Sequence, residues 1–209
     1  GRLFLLGIPG GYFGFEGEVT GTLNSEFDGS TLSGTPVKDT NYLRFYRIEG
    51  AFYMPLQGAF YLYVGLGTKY WDRFLSGGAG YREIYTWDYL PAGILWEKDV
   101  STNLKIGLDL SYRMMFNGQI KIIFSETVVG GQDSELTLGN KPGFKIQAPL
   151  GLRIPNSGLS LKVSPWYEFS EIGESDVKFN STPSINSGIQ EPASRTFQYG
   201  LATGLQFSF

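Results

Sequence analysis

The chain has 209 residues, of which 42% are hydrophobic and 16% aromatic, with 29 Gly and neither Cys nor His. That length suits one domain or one closed β architecture, and the missing residues exclude a disulfide framework, a thiolate zinc site, a cysteine nucleophile and the usual imidazole base. A net charge of −3 and a pI near 5.1 leave no basic footprint for nucleic acid.

The opening run Leu3 to Ile8, interrupted at Gly7 and ended by Pro9, is too short for a helical membrane span, and none follows. An export signal removed from upstream of Gly1 is compatible with this start. Beyond it the sequence alternates, which predicts strands with two unlike faces. The bulky register runs through Phe13, Phe15, Val19 and Leu23, then Tyr46, Ile48, Phe52 and Met54, then Phe60, Leu62, Val64 and Leu66. It resumes at Tyr85, Trp87, Tyr89 and Leu95, and again at Leu104, Ile106, Leu108, Leu110 and Tyr112. Phe144, Ile146, Ala148, Leu150, Leu152 and Ile154 form the next segment, followed by Leu159, Leu161, Val163, Tyr167 and Phe169. Phe197, Tyr199, Leu201, Thr203, Leu205, Phe207 and Phe209 close the series, making eight predicted strands.

Charge separates the faces. The register opposite the bulky one carries Glu16, Glu18, Arg47, Glu49, Lys69, Asp88, Lys105, Asp109, Arg113, Lys145, Arg153, Lys162 and Glu168, and the bulky one carries no charge. Connections alternate between long polar stretches (24–41, 72–83, 116–140, 171–195) and tight turns (Pro55 to Gly58, Glu97 to Ser101, Pro155 to Gly158). Long loops therefore gather at one end and short turns at the other, as in an outer-membrane barrel. A soluble barrel would turn the charged face outward, but Gly65, Gly67, Gly107, Gly151, Gly200, Gly204, Ala51 and Ala202 on that face suit a narrow lumen better. Two aromatic groups, Tyr46, Tyr70, Tyr85, Trp87, Tyr112, Tyr167 and Tyr199 toward the loops and Phe52, Phe60, Trp96, Phe207 and Phe209 toward the turns, are expected to mark two membrane interfaces.

With these features the chain resembles the small bacterial outer-membrane β-barrels of the OmpA and OmpX type. The most specific piece is the terminal Tyr199-Gly-Leu-Ala-Thr-Gly-Leu-Gln-Phe-Ser-Phe209. The resemblance implies an insertion signal carried by Tyr199, Leu201, Leu205, Phe207 and Phe209 and read by the outer-membrane insertion machinery. The expectation is one all-β domain over residues 1–209, an eight-stranded antiparallel up-and-down transmembrane barrel in outer-membrane lipid, with no peptidoglycan-binding domain attached.

Eight strands enclose a lumen just wide enough to be filled by side chains. Confined charges must pair, so an ion-pair ladder is expected from Glu16, Glu18, Arg47, Glu49, Lys105, Asp109, Arg113, Lys145, Arg153 and Glu168. Outer-membrane barrel enzymes of the resembling families use an essential His, which is missing here. Glu16 with Glu18 reads as a salt-bridge donor set rather than an acid and base, and Gly77-Gly78-Ala79-Gly80 lacks the Lys-Ser or Lys-Thr of a phosphate loop. No catalysis, cofactor, metal site or nucleic-acid partner is expected. Glu26, Asp28, Asp39, Glu171, Glu174 and Asp176 read as solvated loop carboxylates.

The expected function is structural or surface-interacting, with the long loops presenting a site for a protein or surface ligand; the alternative is a narrow channel for ions or for small or hydrophobic solutes. In the third loop Asn117-Gly118 signals a type I′ hairpin turn, and the apolar run Gln119 to Val129 that follows admits several outcomes. It could extend the hairpin, fold over the barrel mouth, contact a partner, or add a strand toward a total of ten.

Overall fold

The computed structural model describes residues 2–8, 10–30, 36–75, 81–126, 131–155, 157, 159–179 and 188–207, with side chains described over 10–19, 43–74, 81–126, 131–155, 157, 159–179 and 188–204. The strands are β1 (Arg2–Ile8), β2 (Gly11–Ser30), β3 (Pro36–Pro55), β4 (Phe60–Leu75), β5 (Arg82–Asp99), β6 (Leu104–Ile123), β7 (Ser134–Thr137), β8 (Pro142–Gln147), β9 (Leu150–Arg153), β10 (Leu159–Ile172), β11 (Lys178–Phe179), β12 (Gly188–Ile189) and β13 (Ser194–Phe207). The fold is all-β, and consecutive strands pair antiparallel in the order β1-β2-β3-β4-β5-β6-β8-β10-β13.

Three of these strands are pieces of one. β7, β8 and β9 all pair with β6, through Ile120↔Leu136, Leu110↔Ile146 and Ile106↔Leu150. The break between β8 and β9 falls at Pro149, which has no N–H to give the ladder and offers only its carbonyl, to the Gly107 N–H at 2.8 Å. Tight turns join the strands at one end, closed by bonds such as Leu56 N–H to the Phe60 carbonyl at 2.8 Å and Ile154 N–H to the Leu159 carbonyl at 2.7 Å. The predicted first long loop, 24–41, is largely strand instead. β2 and β3 stay paired out to Ser30↔Pro36, because a ladder once aligned gains backbone bonds even where side chains are polar.

The sheet curls so strongly that side chains from distant strands touch across its concave face: Arg47 of β3 reaches Glu168 of β10, and Lys145 of β8 reaches Glu16 of β2. The convex face is apolar. Ile48, Val64, Leu66, Leu110, Ile146 and Leu152 stand 43 to 66% exposed there.

The fourth predicted strand, which is β5 here, has its faces reversed. Tyr85, Trp87, Tyr89 and Leu95 are buried on the concave side, whereas Leu90 and Ile94 are exposed and Asp88 lies on the outer register. Two of the residues assigned to the loop-side aromatic belt, Tyr85 and Trp87, therefore belong to the interior. Tyrosine rings fill this space by lying over glycines on the neighbouring strand. A Cβ at Gly67 would sit 2.3 Å from the Tyr89 ring, and one at Gly93 2.5 Å from the Tyr63 ring. Both glycines are the direct cross-strand partners of those tyrosines.

Asn117-Gly118 is not a hairpin turn. The chain runs on through Ile123, and the two residues together oppose Trp87 as a bulge, with Asn117 at φ 52°. The extra residue switches which alternate side chains face inward, from Arg113 and Met115 before it to Ile120 and Ile122 after it. The first part of the apolar run, residues 119–123, thus extends the hairpin and buries its isoleucines, while residues 127–129 lie outside the described residues. Asn tolerates a left-handed backbone better than a residue without a short polar side chain, so Asn117→Ala is expected to lower stability by about 1 kcal/mol while Asn117→Gly preserves it. The midpoint of chemical denaturation measures the difference.

Candidate functional site

The concave face is layered. Nearest the tight turns, Tyr12 stacks on Tyr53 at 5.0 Å and Tyr53 meets Tyr63 at 4.8 Å, around buried Leu95. Toward the long loops Phe45, Trp71, Tyr85, Trp87, Met115 and Ile120 form a second apolar cluster. Ionised side chains occupy the level between them.

Glu168 is the hub of that middle level. Alternation along β10 turns it inward, where it accepts hydrogen bonds from Arg47 at 3.0 Å, Lys69 at 3.0 Å and Arg113 at 2.6 Å. Arg47 also contacts Glu16 at 2.6 Å and Glu18 at 2.5 Å. Arg113 bonds Glu49 at 2.9 Å, and Lys145 bonds Glu16 at 3.1 Å. Four cations thus interlock with four carboxylates, and charge-assisted bonds of this kind are about twice as strong as neutral ones. Aromatic faces back the cations: Arg113 lies 5.1 Å from the Tyr89 ring, and Lys69 5.2 Å from Phe45 and 5.3 Å from Trp87. Two cavities of about 20 Å³ flank Glu168, each with room for about one water molecule.

Of the ten residues expected to pair, Glu16, Glu18, Arg47, Glu49, Arg113, Lys145 and Glu168 come together here. Asp109 sits apart, accepting from the Tyr63 hydroxyl at 2.7 Å. Lys105 and Arg153 lie toward the tight turns, the first 3.7 Å from Glu97 and the second 3.1 Å from Asp99 on the exposed rim. Tyr89, donating to Glu49 at 2.9 Å, and Gln198, accepting from Lys69 at 2.9 Å, join the network without having been expected to pair, since neutral side chains give no charge signal. Of the expected insertion signal, Tyr199 and Leu201 stand exposed on the convex face. The backbone of Leu205 and Phe207 lies in β13, while their side chains and all of Phe209 lie outside the described residues.

A second ionic group closes the loop end. Arg73 grips Glu83, and the Tyr85 hydroxyl lies 3.0 Å from Glu83 and 2.8 Å from Glu191. Burial, reinforced by the negative charge of Glu83, pushes the Glu191 carboxyl above its usual range. Period two from Lys69 through Trp71 leads to Arg73, so that residue was within reach of pattern reading; Glu191, 106 positions from Tyr85, was not.

One larger cavity, about 820 Å³, separates Glu16 to Val19 of β2 from Thr196 to Thr203 of β13. Among the described residues no ladder joins β13 to β1 or β2. In comparisons with known proteins, no family model and no curated sequence matches the chain.

Proposed function

We propose that this chain is a barrel of the bacterial outer membrane with a plugged lumen, its eight strands being β2 to β6, the β7–β9 strand, β10 and β13, with the short β1 added at the edge of β2 where the sheet closes toward β13. It acts structurally and through the surface presented at its loop end. The observation that carries this reading is the inversion of polarity. Bulky apolar residues cover the convex face while four buried cations and four carboxylates occupy the concave one, the reverse of what water selects. In hydrocarbon, backbone groups need partners within the protein, which favours closure.

The packed interior supports a plug over a conducting path. Tyrosines block it toward the turns, the Glu168 network crosses its middle, and Trp71, Tyr85 and Ile120 fill it toward the loops. No catalytic role is assigned, because each carboxylate of the middle layer is engaged in holding strands together. Partners would meet the extended β2–β3 hairpin and the β6–β7 extension, while surrounding lipid and the insertion machinery would meet the convex face.

Purified protein is expected to need detergent to remain monodisperse and to migrate on gels with a heat-dependent mobility. Planar-bilayer recordings should show no steady conductance. A conductance that disappears in Arg113→Ala would replace the plug with a narrow channel, and a detergent-free monomer would end the membrane reading.

A further inference from the structure

The Tyr85 hydroxyl carries one proton but stands between two carboxylates, 3.0 Å from Glu83 and 2.8 Å from Glu191. It also accepts from Arg73 at 2.8 Å. If both carboxylates were ionised, it could donate to only one, and the other would face its oxygen lone pairs. Arg73 does not resolve this. Its guanidinium is committed to Glu83 and lies 4.0 Å from Glu191. One further proton on Glu191 gives every group a partner: Glu191 donates to Tyr85, Tyr85 donates to Glu83, and Glu83 receives Arg73.

We propose that Glu83, Tyr85 and Glu191 form a single-proton binding site that latches the chain segment 188–193 onto the loop end of the sheet, holding it when protonated and releasing it when the proton leaves. Among the described residues the segment's other ties run to the same loop: the two-residue β11–β12 ladder, Lys178↔Ile189 and Phe179↔Gly188, and the bonds to residues 174 and 175. The Glu191 backbone meets Ser175 twice, its N–H donating to the Ser175 side-chain hydroxyl at 2.8 Å and its carbonyl accepting from the Ser175 N–H at 2.9 Å. Gln190 donates to Glu174 at 2.8 Å, and Ile189 packs on the aromatic layer below.

Among the described residues, the groups facing Glu191 are Arg73 from β4, Glu83 and Tyr85 from β5, Tyr81 just before β5, and Ser175 beyond β10. The site lies above the apolar belt, because the outer face at this height already carries Asp72 paired with Arg82 at 2.9 Å. Desolvation and the neighbouring Glu83 push the Glu191 carboxyl from 4.5 up to about 7. A carboxyl raised in the latched state makes that state bind more protons than the released one. The latch is therefore fully favoured below pH 4.5 and weakens by up to roughly tenfold per pH unit as pH rises toward 7.

The chain has no Cys, so Ala193→Cys supplies a single attachment point for a spin label on the full-length protein. Electron paramagnetic resonance from pH 5 to 8.5 should show an ordered label that becomes mobile with a midpoint within about one unit of 7. Glu191→Gln, and independently Glu83→Gln, removes the repulsion and should keep the label ordered at pH 8.5, with the far-ultraviolet β signal unchanged. A label equally ordered at both extremes in the parent protein, or a glutamine variant that titrates like the parent, overturns the proposal. Neither result bears on whether the convex face meets lipid.

Discussion

Glu168→Ala is expected to lower stability by about 3–5 kcal/mol, far more than loss of one surface ion pair. The side chain is buried and is shared by Arg47, Lys69 and Arg113, so its removal takes a counter-ion from three buried cations, leaving Arg47 with Glu16 and Glu18, Arg113 with Glu49, and Lys69 with the neutral Gln198 amide. Removing Lys145, which bonds Glu16, disturbs less because Glu16 keeps Arg47. Glu168→Gln should fall between the two, since an amide still accepts hydrogen bonds while supplying no charge. Equilibrium unfolding in detergent, followed by the loss of the compact electrophoretic form, orders the three variants. A loss below 1 kcal/mol for Glu168→Ala would mean that the cations find other partners and that the hub is dispensable.

Ile146→Arg is expected to cost about 2–4 kcal/mol in a bilayer, the range for arginine at the midplane of a transmembrane barrel. Ile146 pairs with Leu110 on one side and Tyr167 on the other, halfway along the apolar face, and is already 43% exposed. On a water-facing surface the same change would fall within about 0.5 kcal/mol, because no packing is lost and the guanidinium is hydrated. The substitution thus reads the solvent outside the sheet directly. Stability measured in liposomes against stability in a short-chain detergent gives the contrast, and an arginine tolerated in both would remove the hydrocarbon from the picture.

Alternation made the strands legible because a sheet with unlike faces repeats every two residues whatever the solvent. The inward position of Glu16, Arg47, Arg113, Lys145 and Glu168 followed from it. The fourth predicted strand, β5, failed for a physical reason: aromatic side chains fill a concave face as readily as they cover a convex one, so bulk does not identify the face. In that strand Tyr89, Pro91 and Gly93 share a register, while Leu90, Ala92, Ile94 and Trp96 share the other. The presence of Gly93 in the register of Tyr89 was the available clue, since a glycine sharing a face with large rings marks a crowded interior.

Asn117-Gly118 misled in another way. The dipeptide does supply a left-handed backbone, but a bulge and a hairpin both require one, and only the pairing partner distinguishes them. The carboxylate pair at the loop end was beyond pattern reading altogether, because Glu191 meets Tyr85 through the path of the whole sheet.

Separation along the chain also bears on how such a structure assembles. The contacts of Glu168 with Arg47 and of Lys145 with Glu16 bridge 121 and 129 positions. A half-synthesised ribbon ending before β10 would hold Arg47, Lys69 and Arg113 without their common counter-ion, and so has every reason to stay hydrated. Entry into an oily phase would then wait for the last strands to arrive and happen in one concerted event, slowly, as expected when the decisive encounters are remote in sequence.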